Sequence, residues 1–198
     1  MSELYQLGRP VVETREVAAR LGLSTSRASQ ILRSLEDSKL ALQLRHGLWT
    51  IRQDLDPFIL PPYLTAPFPS YVSFWSALAR HGMIEQVPRQ VFVASLGRPR
   101  RVTTSIGLYS IHHLAPQLFD GYQGSDDVGY FATPEKALFD TIYLRAPRGG
   151  TIQTPELELP RNFREDNLSK WIKQVSSPRL RTLVSRSLAK ALATATPG

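Results

Sequence analysis

A proline-rich segment divides the chain and limits what can fold on either side of it. Residues 56–69 read DPFILPPYLTAPFP and hold five prolines. Proline lacks an amide hydrogen and restrains the residue before it, so we expect no helix and no central strand in this segment. The sequence therefore predicts a first domain at residues 1–56, a proline-rich linker at residues 57–69 and a second domain at residues 70–198.

The first domain contains two predicted helices that a glycine separates. Thr14 is a suitable N-cap for the segment REVAARL, and Gly22 stands where that helix should end. The next helix is predicted to be capped by Ser24 or Thr25 and to run to about Ser38.

The segments around these helices complete the predicted domain. We expect a short helix near residues 3–7 and an extended segment, VVE, at residues 11–13. The sequence LALQLR-HG-LWTIR indicates two short strands joined at His46 and Gly47. The predicted order is therefore helix, helix, helix and hairpin.

Small or apolar residues stand wherever two helices that cross over a short turn must touch. The positions expected to face inward are Val17, Ala18, Leu21, Ala28, Ile31, Leu32 and Leu35. This pattern predicts a helix-turn-helix, and the hairpin that follows is typical of a wing. The predicted fold class is α+β, with an N-terminal winged helix-turn-helix followed by a mixed α/β C-terminal domain.

The outer face of the second helix and the hairpin carry groups that contact bases and phosphates in DNA complexes. The residues predicted to bind DNA are Ser24, Thr25, Ser26, Arg27, Ser29, Gln30, Arg33, Arg45, His46 and Arg52. The alternative is a solvated helix face and a sheet edge that charge keeps soluble. Trp49 is expected to pack on the helices and not to touch DNA.

The composition favours a polyanionic partner and excludes cysteine-based sites. The net charge is +7, and the chain has no cysteine, so it can form neither disulfides nor thiolate metal sites. No apolar run is long enough to span a membrane, and the start, MSELYQLGRP, has no leader-like pattern, so we expect a soluble cytoplasmic protein.

No catalytic motif is found along the chain. His112 and His113 are adjacent on a predicted strand, so their side chains point to opposite faces. Asp126 and Asp127 lie in a glycine-containing loop, where a solvated turn is more common than a metal site. We therefore predict a protein that is not an enzyme and that uses no metal and no cofactor.

The second domain is predicted to combine a small sheet with several helices. SYVSFWSALARHG places Tyr71, Phe74, Trp75 and Leu78 on one helical face, with Gly82 as the stop. The strands are expected in QVFVAS, RVTTS, LYSIHHL and VGYFA. Two helices broken at Pro178 should occupy residues 167–192, and the final ATATPG should fray.

The stretch FATPEKALFDTIYLR, residues 131–145, could be either a catalytic carboxylate–lysine cluster or the start of a packed helix. Thr133 is a suitable N-cap, and Pro134 fits the first helical turn. Lys136 and Asp140 are four residues apart and are predicted to form a weak surface pair. Glu135 is expected to be partly buried and satisfied by helix amides or by an arginine.

Two long motifs of the second domain resemble the paired signature of the AbiEi-type antitoxin family. They are SFWSALARHGMIEQVPRQVFVAS at residues 73–95 and FATPEKALFDTIYLR at residues 131–145, and the resemblance extends over about residues 5–192. The positions that fit are Trp75, Gly82, Pro88, Pro134, Glu135, Lys136 and Asp140.

The resemblance implies an antitoxin that represses the transcription of its own bicistronic toxin–antitoxin operon, a type of system often associated with phage resistance. The partner gene would encode an AbiEii-type nucleotidyltransferase toxin. The N-terminal domain would bind promoter inverted repeats, with two copies on the DNA, and the C-terminal domain would neutralise the toxin. The alternative is a protein-interaction module that inhibits the toxin by direct contact, with DNA binding secondary.

Basic residues of the second domain form two further candidate surfaces, which could contact flanking DNA or an acidic patch on the toxin. They are Arg98, Arg100, Arg101, Lys170, Lys173, Arg179, Arg181, Arg186 and Lys190. The alternative is again a solvated helix face. Residues 168–192 hold six of the chain's bases and no acid.

Overall fold

The computed structural model describes residues 9–52, 54–146 and 156–198 and shows a mixed α and β protein. The helix expected near residues 3–7 lies outside the described residues. The amino-terminal region consists of β1 (Val11–Glu13), α1 (Thr14–Leu21), α2 (Thr25–Asp37), β2 (Leu42–Arg45) and β3 (Leu48–Thr50). Its strands form an antiparallel sheet in the order β1-β3-β2.

The helix boundaries of this region agree with the predictions at two of three positions. Gly22 ends α1 in the left-handed conformation, with φ 63°, and the Ser24 hydroxyl caps α2 by accepting from the Arg27 amide at 3.2 Å. The prediction for Thr14 is wrong, because Glu13 holds the N-cap position and Thr14 is the first helical residue. The Thr14 hydroxyl instead accepts a hydrogen bond from Trp49 Nε1 at 2.9 Å.

The core between α1, α2 and the small sheet contains most of the residues predicted to face inward. Its buried members are Val12, Val17, Ala18, Ala28, Leu32 and Trp49. Leu21 and Leu35 pack against them and are partly buried, whereas Ile31 is only half-buried and lies outside this cluster. The indole of Trp49 is fully buried, which confirms that it packs inside.

The proline-rich segment contains helix, so the prediction that it has none is wrong. A 3₁₀ turn covers Pro57–Ile59 and a short helix, α3, covers Pro61–Thr65. Each begins with proline, which is tolerated in the first turn because the amide there has no helical acceptor. Leu60 and Leu64 are buried, so this segment packs against the rest of the chain.

A six-stranded mixed sheet forms the centre of the carboxy-terminal region, in the order β6-β7-β5-β4-β9-β8. Its strands are β4 (Ser70–Val72), β5 (Val91–Ser95), β6 (Arg100–Thr104), β7 (Gly107–His113), β8 (Tyr122–Ser125) and β9 (Gly129–Ala132). The β4–β9 and β5–β7 pairs are parallel, and the other pairs are antiparallel. The predicted strand segments are all present.

Within the described residues, four helices accompany this sheet, namely α4 (Phe74–Arg80), α5 (Pro134–Arg145), α6 (Asp166–Gln174) and α7 (Pro178–Ala193). The predicted break at Pro178 is confirmed, as is the stop at Gly82, whose φ is 69°. Tyr71, however, belongs to β4 and not to the helical face predicted for it. Phe74, the first residue of α4, has a φ of 54°, so the chain changes direction at the start of this helix.

The carboxy-terminal residues do not fray as predicted. Two short strands, β10 (Glu158–Leu159) and β11 (Thr196–Pro197), pair in parallel. The amides of Thr196 and Gly198 donate to the carbonyls of Leu157 and Leu159 at 2.8 and 2.9 Å. These bonds hold the end of the chain to the segment that precedes α6.

The two faces of the large sheet bury separate cores. Tyr71 and Ala94 face the core formed with α4, α5, α6 and α7. The neighbouring residues Val72 and Val93 face the opposite side, because side chains alternate along a strand. That second core contains residues of the hairpin and the proline-rich segment, including Leu44, Leu48, Leu60 and Leu64.

The hairpin is also joined to the large sheet by its backbone. The Ser105 amide, in the turn between β6 and β7, donates to the Leu44 carbonyl at 3.0 Å. Hence the amino-terminal region rests on one face of the sheet, and α4–α7 rest on the other. Within the described ranges, no helix combines the length and the apolar composition that a membrane crossing requires.

Candidate nucleic-acid interface

Helix α2 turns a polar face outward because its apolar residues fall on one side. Ala28 and Leu32 are buried against α1 and the small sheet. Ser26, Gln30 and Arg33 lie on the opposite side and are exposed. A hydroxyl, an amide and a guanidinium on one accessible helix face can donate to and accept from base edges in a major groove.

A side-chain pair organises the first turns of this face. Arg27 Nη1 donates to Gln30 Oε1 at 3.1 Å, and both side chains are exposed. The bond restrains the Gln30 amide while leaving its NH₂ group available to an acceptor. Thr25 is exposed beside this pair, and Ser29 is half-buried.

The hairpin turn is held close to the start of α1. Gly47 occupies a left-handed conformation, with φ 77°, and its carbonyl accepts from the Thr14 amide at 3.0 Å. The Trp49 indole reaches the Thr14 hydroxyl from the next strand. Arg45 and His46 are exposed on this turn, so their positions relative to the two helices are defined by backbone and buried contacts.

An open groove of about 1130 Å³ brings part of the predicted surface together. Its walls are the starts of α1 and α2, the hairpin turn, α3 with the residues that follow it, and strand β6. The predicted DNA-binding residues that line it are Thr25, Ser26, Ser29, Arg45 and His46. The groove is polar and open to solvent, and the basic side chains on its walls suit an anionic partner.

The remaining predicted DNA-binding residues are placed around the groove or away from it. Arg27, Gln30 and Arg33 lie on the exposed face of α2, next to the groove but outside its lining. Arg52 is also exposed, but it follows β3 at the end of the hairpin opposite to the His46 turn. The structure therefore groups α2 with Arg45 and His46, and it leaves Arg52 apart.

Arg15 and Tyr63 are among the groove residues that were not predicted for this surface. Arg15 lies at the start of α1 and forms an ion pair with Glu13. Tyr63 belongs to α3, and burial, together with the nearby Asp126 carboxylate, raises the pKa of its hydroxyl. In the sequence, Arg15 is marked only by its position near a predicted helix start, and Tyr63 lies in the predicted proline-rich linker.

Arg98 and the two arginines of strand β6 differ in what they contact. Arg100 lines the groove, and its Nη2 atom donates to the Leu64 carbonyl at 2.6 Å. Arg98 and Arg101 are exposed. Arg100 and Arg101 belong to β6, an edge strand of the large sheet, and Arg98 precedes that strand.

The six bases near the carboxy terminus are exposed but are not equivalent. Lys170 pairs with Asp120, and Arg181 donates to the Val175 carbonyl from Nε and Nη2 at 3.1 and 2.8 Å. These two side chains therefore fasten α6 and the start of α7. The others, Lys173, Arg179, Arg186 and Lys190, point to solvent.

The carboxylate–lysine stretch has a different role from the surface pair predicted for it. Lys136 and Asp140 form an ion pair in which both side chains are fully buried. Asp140 Oδ2 also accepts from the hydroxyls of Ser73 at 2.7 Å and Tyr71 at 3.1 Å. The surface prediction failed because α5 is covered by the sheet on one side and by α6 and α7 on the other.

Aromatic rings enclose the lysine of this pair. The rings of Tyr71, Phe139 and Trp171 have centroids 5.8, 5.2 and 5.5 Å from Lys136 Nζ. Burial raises the pKa of Asp140, and the ammonium and two hydroxyls act in the opposite direction. The pair is closed off from solvent, so we read it as an internal anchor of α5 and not as a catalytic cluster.

Glu135 is satisfied, as predicted, but it is buried and not only partly buried, and its partner is neither an amide of its own helix nor an arginine side chain. It is 4% exposed, and its Oε1 atom accepts from the Arg164 backbone amide at 2.7 Å. The Thr133 hydroxyl caps α5 by accepting from the Lys136 amide at 3.3 Å, which confirms that prediction. The adjacent histidines point in opposite directions, with His112 stacked on Phe92 and His113 Nδ1 near the Leu96 carbonyl.

The chain matches no protein-family model and no curated protein. Among the described residues, no group of three or more histidine or acidic side chains could hold a metal ion.

Proposed function

We propose that this protein is an antitoxin that represses its own operon by binding DNA through a winged helix-turn-helix. The observation that supports this proposal is the exposed polar face of α2, which stands beside the Arg45–His46 turn along one open groove. The family resemblance of the second domain supplies the antitoxin part of the proposal. Under it, the partner is a nucleotidyltransferase toxin encoded next to this gene.

In the proposed complex, α2 enters the major groove and the hairpin turn acts as the wing. Ser26, Gln30 and Arg33 face the base edges, because they lie opposite the buried Ala28 and Leu32. Arg45 and His46 approach the phosphates beside the helix. Two copies on an inverted repeat would double these contacts, since a single small helix-turn-helix has limited specificity.

The direct test is binding to the DNA upstream of the gene. The variant Arg27→Ala/Gln30→Ala/Arg33→Ala should reduce operator affinity by two orders of magnitude or more, because each base contact contributes about 1–3 kcal/mol. Fluorescence anisotropy with a labelled promoter fragment measures this. Unchanged affinity in the triple variant would show that α2 is not the recognition helix.

A matched control separates base contacts from general charge. The variant Arg89→Ala/Arg161→Ala removes two exposed basic side chains of the second domain that lie outside α2 and the groove. It should retain operator affinity within about twofold. Wild-type affinity should also fall steeply as salt rises, because phosphate contacts release counterions.

A second function, inhibition of the toxin by direct contact, is favoured by the exposed bases on α7. Deletion of residues 1–56 is a poor test of it, since Leu44 and Leu48 cover part of the large sheet. The α2 triple variant is a better one, because its three positions are exposed. Toxin neutralisation in cells that express this variant would show that DNA binding is dispensable for protection.

A further inference from the structure

Helix α7 carries four basic side chains. One of them forms hydrogen bonds within the described part of the protein, and the other three do not. Arg181 donates to the Val175 carbonyl at the end of α6. Arg179, Arg186 and Lys190 are exposed, and no described residue forms a hydrogen bond or ion pair with their side chains. These three cations are therefore available to a partner.

The three cations lie in one line with an exposed leucine. At about 100° per residue, Arg179, Leu183, Arg186 and Lys190 fall within about 60° of one another around the helix. Val184, Leu188 and Ala191 fall on the other side and are buried in the core. We name the four exposed residues the α7 stripe, and at about 1.5 Å per residue it is about 16 Å long.

The α7 stripe places like charges where they disfavour the isolated helix. Arg186 and Lys190 are one turn apart, and like charges at this spacing repel. Arg179 lies in the first turn, where exposed amides favour acids, and that turn contains none. An anionic surface laid along the stripe would relieve both unfavourable arrangements.

The leucine indicates what kind of anionic surface this is. Leu183 is 39% exposed and is among the few large apolar side chains that the described surface leaves open. A phosphate backbone offers such a side chain nothing to pack against. The centre of a protein interface does, and arginine is enriched there too. Spacings of four, three and four residues are also typical of a helix docked in a groove of another protein.

We propose that the α7 stripe is a docking surface for an acidic protein groove, into which Leu183 inserts between the three cations. The identification of that protein with the toxin rests on the proposed function. The acidic charge and the groove shape of the partner are inferred from the α7 stripe itself. Direct contact through α7 would then block the toxin, separately from repression through α2.

The test measures binding of the purified product of the neighbouring gene by isothermal titration calorimetry. The full-length variant Arg186→Glu/Lys190→Glu should bind it at least about tenfold more weakly than wild type does. Leu183→Ala, which leaves the charge unchanged, should also weaken binding, by about fivefold or more. The matched control Arg89→Glu/Arg161→Glu makes the same charge change on exposed positions elsewhere and should bind as wild type does.

Operator binding of the same variants separates this proposal from the repressor proposal. Retained operator affinity in Arg186→Glu/Lys190→Glu, together with lost protein binding, supports the docking surface. Wild type could instead bind no operator but still bind the neighbouring gene product in a way that the stripe variants weaken. That result would refute the repressor proposal and support the docking surface. The docking proposal is overturned if wild type does not bind the neighbouring product, or if the stripe variants lose operator affinity and keep protein binding.

Discussion

Helices α2 and α5 are similar in length and capping but use their charged residues in opposite ways. They contain 13 and 12 residues, and a hydroxyl side chain caps each of them. In α2 only Ala28 and Leu32 are buried, whereas in α5 every residue from Glu135 to Ile142 is buried. A dense group of charges on a helix therefore does not indicate a functional surface until the neighbours of that helix are known.

The difference arises from what packs against each helix. Helix α2 has α1 and the small sheet on one side and solvent on the other. Helix α5 lies between the large sheet and the helices α6 and α7. Its charges are satisfied inside the protein, by Ser73 and Tyr71 for Asp140 and by the Arg164 amide for Glu135.

The largest effect is expected from breaking the buried pair. Lys136→Met leaves the Asp140 carboxylate buried without its cation, and it should lower the free energy of unfolding by about 3–5 kcal/mol. Urea denaturation followed by circular dichroism measures this. Lys136→Met/Asp140→Leu should lose less than the sum of the two single variants. A single variant with wild-type stability would mean that the pair is not an anchor.

An exposed arginine of α2 should show the opposite behaviour. Arg33→Ala should change the free energy of unfolding by no more than about 0.5 kcal/mol. Operator binding should weaken by about 1–3 kcal/mol if Arg33 contacts a base. Arg89→Ala serves as the control for both measurements. A large loss of stability in Arg33→Ala would remove the contrast between the two helices.

The caps of the two helices should be equivalent, despite the different surroundings. Ser24 accepts from the Arg27 amide at 3.2 Å, and Thr133 accepts from the Lys136 amide at 3.3 Å. Ser24→Ala and Thr133→Ala should each lower the free energy of unfolding by about 1 kcal/mol. Thermal denaturation of both variants compares them. A much larger cost for Thr133→Ala would indicate that displacing its cap disturbs the buried pair as well.

The smallest effect concerns the carboxylate that holds α6. Burial acts to raise the pKa of Asp120, but hydrogen bonds from Lys170 and Trp171 outweigh it, so its pKa lies below the ordinary value of 3.8. Its contribution to stability is therefore complete above that value and is lost as pH falls through the lower, folded pKa.

Asp120→Asn tests this pH dependence. Wild type should lose more stability than the variant between pH 5 and pH 2, as measured by urea midpoints, because only wild type loses an ionised Asp120. Asp140 is present in both proteins, so its own titration cancels in the difference. Parallel curves for the two proteins would contradict the assignment.

Local signals predicted the elements of this fold well. The hairpin turn follows from Gly47, the end of α1 from Gly22, and the start of α5 from Thr133 and Pro134. These features depend on residues close together in the sequence. The same holds for the polar face of α2, whose exposed positions followed from helical periodicity alone.

Features that depend on distant contacts could not be predicted in this way. The hydroxyls that bond to Asp140 belong to Ser73 and Tyr71, 67 and 69 residues earlier in the chain. Tyr71 fitted a helical pattern, but pairing with Ala94 places it on a strand. The five prolines indicated an open linker, yet burial of Leu60 and Leu64 against the sheet decided the conformation there.

The contact between the hairpin and the large sheet has a consequence for genetics. Leu44 and Leu48 share a core with Tyr109 and Ile111 of β7, so a defect at either of these sheet positions would shift the hairpin. In a screen for operon derepression, we expect substitutions at Tyr109 and Ile111 to be recovered alongside those in α2. Under the proposed function, mutations in the large sheet would then share a phenotype with mutations in α2.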